Sequence, residues 1–312
     1  MAILEIEGLT KTYRVGFFNR PYSALNGVDL KIEPNEIFGY LGPNGSGKTT
    51  TIKSILGLIR PDGGKIRMFD QPFSGVESKR NIGYLPENPY FYTYLTALEV
   101  LDFYAQLFEI RKVDREKRIN NLLELVGLSE ARHQVLRNFS KGMLQRIGIA
   151  QALINDPKLV ILDEPMSGLD PIGRKEMRDI ILDLKDQGKT VFFSSHILSD
   201  VEMICDRVGI VFKGKVISVG KLEEMLSSTV KAVEITVKRL SHAGYDELQK
   251  SDEKMIHSGE NTLIILRSED DIDRVTTILT KHTTKIVSII PHKTSLEDLF
   301  VQQLEKVLKN EN

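Results

Sequence analysis

A chain of 312 residues, 41% of them hydrophobic, is long enough for two domains and can bury an ordinary core in each. Its 42 basic and 43 acidic residues leave a net charge of −1, which excludes a basic platform for nucleic acid. The single cysteine, Cys205, excludes an intramolecular disulfide and reads as a small buried filler in a reducing compartment. No stretch approaches the ~20 apolar residues needed to span a bilayer.

The start, Met1 to Glu7, alternates like a strand and lacks the basic head and long apolar run of a secretory leader. Ile3 to Glu7, Ala24 to Ile32 and Glu36 to Leu41 are the expected strands here, with Gly16 to Pro21 as a loop. Between Leu41 and a helix expected from Thr50 to Leu58 lies Gly42-Pro43-Asn44-Gly45-Ser46-Gly47-Lys48-Thr49-Thr50. This fits G-x-x-x-x-G-K-[ST], a loop whose glycines let successive N–H groups converge on one anion at a helix N-terminus. Lys48 can reach the outer phosphates of a bound nucleotide, and Thr49 can place its hydroxyl on a magnesium ion (Mg2+).

Lys65 to Phe69 is a short strand after the turn Pro61-Asp62-Gly63-Gly64. From about Thr96 to Ala152 the apolar residues recur at helical spacing, as in Leu98, Leu101, Ala105 and Phe108. Leu159 to Leu162 and Thr190 to Ser194 are apolar strands on either side of a helix from Pro171 to about Gln187, so they form a βαβ unit with parallel strands. Val208 to Phe212 and Lys215 to Val219 read as a hairpin around Lys213-Gly214. After about Leu222 the pattern changes to strands with one wet face (Val233 to Val237, Asn261 to Leu266, Lys285 to Ile290) and helices. The last helix opens on a capping box, Thr294-x-x-Glu297.

The strand Val160-Ile161-Leu162 ends in Asp163-Glu164-Pro165. Asp163 at its tip can hold Mg2+, and Glu164 can act as a base toward an attacking water. With these residues in place the chain resembles the nucleotide-binding subunits of ATP-binding cassette (ABC) transporters over about residues 1–220. Tyr13 matches the aromatic that stacks on adenine, and Gly42 to Thr50 the loop that binds ATP through Gly42, Asn44, Gly45, Ser46, Gly47, Lys48, Thr49 and Thr50. Asn138-Phe139-Ser140-Lys141-Gly142-Met143-Leu144-Gln145 matches the family signature, Ser167-Gly168-Leu169-Asp170 the loop after the acidic strand, and His196 the switch histidine. The resemblance implies that Ser140 and Gly142 face the γ-phosphate bound to a second subunit, Ser140 capping a helix that begins near Lys141.

The chain departs from the family pattern at two motifs. The usual Leu-Ser-Gly-Gly-Gln is here Phe139-Ser140-Lys141-Gly142-Met143, which puts a cation near phosphate. Glu87 stands where the family usually carries glutamine; a carboxylate there can still ligate Mg2+ but repels the γ-phosphate. After it, Tyr90, Phe91, Tyr92 and Tyr94 either fill the core of a helical subdomain or form an apolar groove for a short helix of a membrane partner. Arg111 to Arg118 reads as a solvated face.

The expected fold is therefore α/β. A P-loop NTPase cassette covers 1–220, with a parallel-sheet core, an N-terminal antiparallel β subdomain and a helical subdomain over about 88–156. A small α+β domain covers 221–312. The expected function is that of an ATP-hydrolysing subunit with ATP and Mg2+ as cofactors and Glu164, His196 and Lys48 as catalytic residues. Its partners would be an integral membrane permease and a second copy, and its place cytoplasmic, peripheral on the inner face of the membrane through that permease. A single cassette followed by a small α+β tail resembles export systems of the multidrug, antibiotic or ion type. The rivals are a soluble ATPase acting on ribosomes or DNA, and a non-hydrolysing ATP sensor; one cassette and neutral charge oppose the first, intact Glu164 and His196 the second.

Overall fold

The computed structural model describes residues 2–72, 75–226, 230–249, 253–293 and 295–310. The chain divides into two compact units, Met1–Leu222 together with Gln303–Asn312, and Glu223–Gln302. The first unit opens with β1 (Leu4–Val15), β2 (Arg20–Ile32), β3 (Ile37–Leu41), α1 (Lys48–Ile55), β4 (Gly63–Met68) and β5 (Gln71–Pro72). It continues through α2 (Gly75–Arg80), β6 (Ile82–Leu85), α3 (Ala97–Leu107), α4 (Lys112–Leu125) and α5 (Lys141–Ala152). Then come β7 (Leu159–Asp163), α6 (Pro171–Asp186), β8 (Thr190–Ser195), α7 (Leu198–Ile204), β9 (Arg207–Phe212) and β10 (Lys215–Lys221), and the short α8 (Leu222–Met225) begins at the last residue of this unit's first stretch.

The central sheet has the order β10-β9-β3-β8-β7-β6. All neighbours in it are parallel except β10, which returns antiparallel along β9. Every residue of β3, β7 and β8 is buried, as expected of strands covered on both faces. Phe38, Tyr40 and Phe192 form an aromatic column, with ring centroids 6.0 and 5.6 Å from the Phe192 ring. The register sets Leu41 beside Ser195 and Asp163 beside Ser194, so β3, β7 and β8 end side by side. Loops leaving the carboxyl ends of neighbouring parallel strands converge, and that is where open α/β sheets hold ligands.

A second sheet, β2-β1-β4-β5, is antiparallel and shares the buried cluster of Leu4, Ile6, Leu9, Val28, Ile32 and Met68 with Phe38 and Phe192. Its first hairpin is longer than the sequence led us to expect: β1 and β2 pair through Tyr13↔Tyr22 and Arg14↔Pro21 to a turn at Gly16–Asn19. Pro21 is tolerated because β2 is an edge strand, where a missing N–H breaks no ladder.

The second unit contains β11 (Val230–Lys238), α9 (His242–Gln249), β12 (Lys254–Ser258), β13 (Asn261–Leu266), α10 (Ile272–Lys281), β14 (Lys285–Lys293) and the start of α11 (Leu296–Asn310). Its antiparallel sheet, β12-β13-β11-β14, turns Val233, Ile235, Val237, Ile264 and Leu266 onto Leu248, Val275 and Leu279 of α9 and α10. Thr294 of the expected capping box lies outside the described residues. The box is formed one residue later: Asp298 N–H donates to Ser295 Oγ at 3.2 Å, and Ser295 N–H donates to Asp298 Oδ2 at 3.1 Å.

Candidate active site

The loop after β3 is built for close approach. A Cβ on Gly42 would lie 2.3 Å from the Val211 carbonyl oxygen. Gly47, at φ 108°, starts α1 from a conformation open to glycine, and a Cβ there would lie 2.6 Å from the Ala24 carbonyl. Tyr22 Oη donates to the Gly45 carbonyl at 3.1 Å, and Gly214 N–H donates to the Ser46 carbonyl at 2.9 Å, pinning the loop from two sides. Ser46 Oγ is buried and has no hydrogen-bond partner among the described residues. The hydroxyl packs toward Gly42, where a Cβ would lie 2.5 Å from it, and the Ser46 N–H donates to the Pro43 carbonyl at 3.1 Å.

Lys48, on the first turn of α1, is 5% exposed. Its ammonium donates to the Gly42 carbonyl at 2.7 Å and the Pro43 carbonyl at 3.3 Å, and pairs with Glu164 Oε1 at 3.1 Å. Glu164 follows the tip of β7 at φ 49°, a conformation that a residue with a Cβ adopts at a cost of about 1–3 kcal/mol. Its N–H donates to Ser194 Oγ at 2.9 Å, and its Oε2 lies 2.7 Å from His196 Nδ1. The carboxylate is thus held between a buried cation and a half-exposed imidazole.

Asp163 is 1% exposed at the end of β7. Its Oδ1 accepts from Ser194 Oγ at 2.7 Å and from Thr49 Oγ1 at 3.3 Å. Burial pushes its carboxyl above the ordinary value of 3.8, and those two hydroxyls and the Lys48 charge pull it partly back. Ser194 therefore aligns both acidic residues at once, accepting from one backbone and donating to the other side chain.

A cleft of 530 Å³ opens over these groups. Asn44, Gly45, Gly47, Lys48, Thr49, Thr50, Glu87, Glu164 and His196 line it, as do Ser167 of the loop after the acidic strand and Tyr22, which sequence reasoning did not single out. Asp163 lies beneath it, against Thr49. Tyr13 is half-buried on β1 opposite Tyr22, with Lys11 Nζ 5.8 Å from its ring centroid, and does not line the cleft. Ser140 and Gly142 also lie outside it, at the start of α5, where Ser140 Oγ accepts from Met143 N–H at 3.2 Å. Lys141 lies over Gly168: a Cβ built there would fall 2.3 Å from its ammonium. Gln145, one turn into α5 and 1% exposed, donates through Nε2 to the Glu87 carbonyl at 2.9 Å. No periodicity signals that contact; only the folded chain brings residue 145 to residue 87.

A doubly covered parallel sheet, a glycine-rich loop with a buried lysine and an acidic strand tip define a P-loop nucleotide hydrolase. A family model described as "ABC transporter" matches residues 25–167. The chain is 43% identical over 307 residues to an uncharacterised ABC transporter ATP-binding protein of Synechocystis, covering 97% of this chain and 85% of that one. It is 37% identical over 225 residues to a fluoroquinolones export ATP-binding protein of Mycobacterium tuberculosis, 72% of each chain. Among solved structures, the dimeric post-hydrolysis state of the ATP-binding cassette MJ0796, bound to ADP and Pi, superposes with a TM-score of 0.64 at 26% identity, covering 70% of this chain and 99% of that one. The chain belongs to the ATP-binding subunits of ABC transporters. It binds ATP and hydrolyses it to power transport, a task such subunits share with membrane permease components. No described helix is long and apolar enough to cross a membrane.

Proposed function

We propose that this subunit drives an exporter, docked on the inner face of the membrane through its permease and working as a pair of identical copies. The observation that carries the catalytic assignment is the convergence of Lys48, Thr49, Asp163, Glu164 and His196 on one cleft. The name of the fluoroquinolone-export relative supports the direction.

In this reading Gly42 to Thr50 cradle the phosphates, and Lys48 exchanges its Glu164 partner for phosphate oxygens. Glu164, released from the cation, takes a proton from the water that attacks the γ-phosphorus as the bond to the β–γ bridging oxygen breaks. His196 holds that carboxylate through Nδ1 and turns its other nitrogen to the γ-phosphate. Tyr13 stacks on adenine beside Tyr22. Ser140 and Gly142 of one copy close on the γ-phosphate held by the other.

Thr49 Oγ1 and Asp163 Oδ1 are hard oxygen donors beside the phosphate loop, and no described cluster of three or more His, Cys, Asp or Glu could cage a metal alone. Two protein oxygens supplemented by phosphate and water oxygens are what Mg2+ takes, so the residues fit that ion, with Glu87 as a further oxygen on the cleft wall. When bound, it neutralises phosphate charge.

The groove lined by Tyr90, Phe91, Tyr92, Leu95, Phe103 and Tyr104 has a volume of 330 Å³ and is mostly apolar. Tyr90, Tyr92 and Tyr94 are exposed while Phe91 is buried, which favours a docking groove for a permease helix over a core. Inside-out vesicles carrying the permease and this subunit should take up a fluoroquinolone probe on ATP addition, and Lys48→Ala vesicles should not. ATP-driven accumulation in right-side-out vesicles would instead mean import.

A further inference from the structure

Phe17 and Phe18 are 98% and 78% exposed, and Val15 beside them is 48% exposed. The turn that carries them is well defined: Asn19 N–H donates to the Gly16 carbonyl at 3.1 Å, and Gly16 and Asn19 both take positive φ, 73° and 51°. The two rings meet edge to face, with centroids 5.6 Å apart. Single exposed apolar residues are ordinary, but three within four positions at the tip of a paired hairpin are a patch held out of the fold.

The charge around the patch has one sign. From Gly8 to Val28 the sequence holds Lys11, Arg14 and Arg20 and no Asp or Glu. Asp62 reaches the hairpin at Lys11 and Thr12 and is matched by the Lys11 ammonium at 2.9 Å. Arg14 and Arg20 form no ion pair among the described residues, and the Arg20 guanidinium lies 6.0 Å from the centre of the Phe18 ring.

We propose that the β1–β2 hairpin is a membrane-contact point, seating Phe17 and Phe18 in the interfacial layer of an anionic bilayer with Arg14 and Arg20 on lipid phosphates. An apolar tip ringed by unpaired cations matches the layering of such a surface, apolar beneath anionic. A protein groove asks for a broader shaped face, whereas here the apolar area is concentrated at one projecting turn. Each arginine near an anionic surface contributes about fivefold to binding, so the pair gives about 25-fold. That contact is weak alone, but it acts at high effective concentration once a permease holds the subunit at the bilayer.

The chain has no tryptophan, so Phe17→Trp supplies a lone reporter. With vesicles of phosphatidylglycerol and phosphatidylcholine its emission should shift to the blue; with pure phosphatidylcholine it should not. Wild-type chain should co-sediment with the anionic vesicles, and R14Q/R20Q should weaken that about 25-fold. F17S/F18S should abolish it. All variants should hydrolyse ATP as wild type does, since none of these residues lines the cleft, and this reports their folding. Absence of wild-type co-sedimentation, or equal binding to neutral lipid, would overturn the proposal whatever the variants do. So would a Phe17→Trp shift on native membranes that disappears after their proteins are shaved off with protease, which would assign the tip to a protein partner.

Discussion

Glu164→Gln separates the two roles proposed for Glu164. Its carboxylate pairs with the Lys48 ammonium at 3.1 Å, with the two side chains 7% and 6% exposed. At that distance and an effective dielectric of about 20 the gross attraction is about 5 kcal/mol, partly cancelled by the desolvation of both ions. ATP must break this pair to use the Lys48 charge, and its γ-phosphate then meets a carboxylate of like sign. Glutamine keeps the shape and can still accept from Lys48, but it drops the competing charge. If about a quarter of the gross term returns to binding, ATP binds about tenfold more tightly. Removing the proposed general base should cost about 10²–10⁴-fold in turnover. Titration with a fluorescent ATP analogue reads the first effect, and single-turnover phosphate release the second. Turnover within about threefold of wild type would remove Glu164 as the base. Weaker ATP binding would show that the ion pair prepares Lys48 for phosphate rather than withholding it.

Three further outcomes follow from the same contacts. Tyr13→Ala should weaken ATP about 5–150-fold while leaving inorganic triphosphate binding unchanged; if only Tyr22→Ala does so, the base rests on β2 instead. Gln145→Ala removes the donor that ties α5 to the Glu87 carbonyl, in a helix already close to that segment (a Cβ on Gly148 would meet Leu85 Cδ1 at 2.4 Å). The variant should keep the basal hydrolysis of the isolated chain and lose several-fold of its stimulation by permease; equal loss of both would assign Gln145 to stability alone. Cys205 is buried and its thiol is pushed well above the ordinary value of 9.0 by that burial first and by Asp206 second. A raised folded value means that the stabilisation is complete below pH 9 and is lost as pH rises through it. Native chain should therefore resist maleimide at pH 8, and wild type should lose stability relative to Cys205→Ala only above pH 9.

The candidate site was legible because its motifs are local in sequence. A loop that must turn tightly around phosphate needs glycines at fixed offsets, and a carboxylate at the tip of a buried strand needs an apolar run before it, so Gly42 to Thr50 and Val160 to Glu164 announce themselves. Four-residue β6 did not, since Gly83 interrupts its apolar pattern; that glycine is required because a Cβ would meet the Ala152 carbonyl at 2.2 Å, a contact between segments 69 residues apart. The contacts of Ser194, Tyr22 and Gln145 escaped notice for the same reason. Each is made with a partner 23 to 58 residues away, and nothing in the residue's own neighbourhood announces that partner. The distinction has a functional side. Groups proposed to touch phosphate are fixed by the geometry of phosphate, which any sequence must satisfy in the same way. The groups that fasten the cleft wall to α5 are fixed by how this chain packs. A variant at Gln145 that uncouples without silencing would place transmission in packing and hydrolysis in motif, on two sets of residues that meet at Glu87.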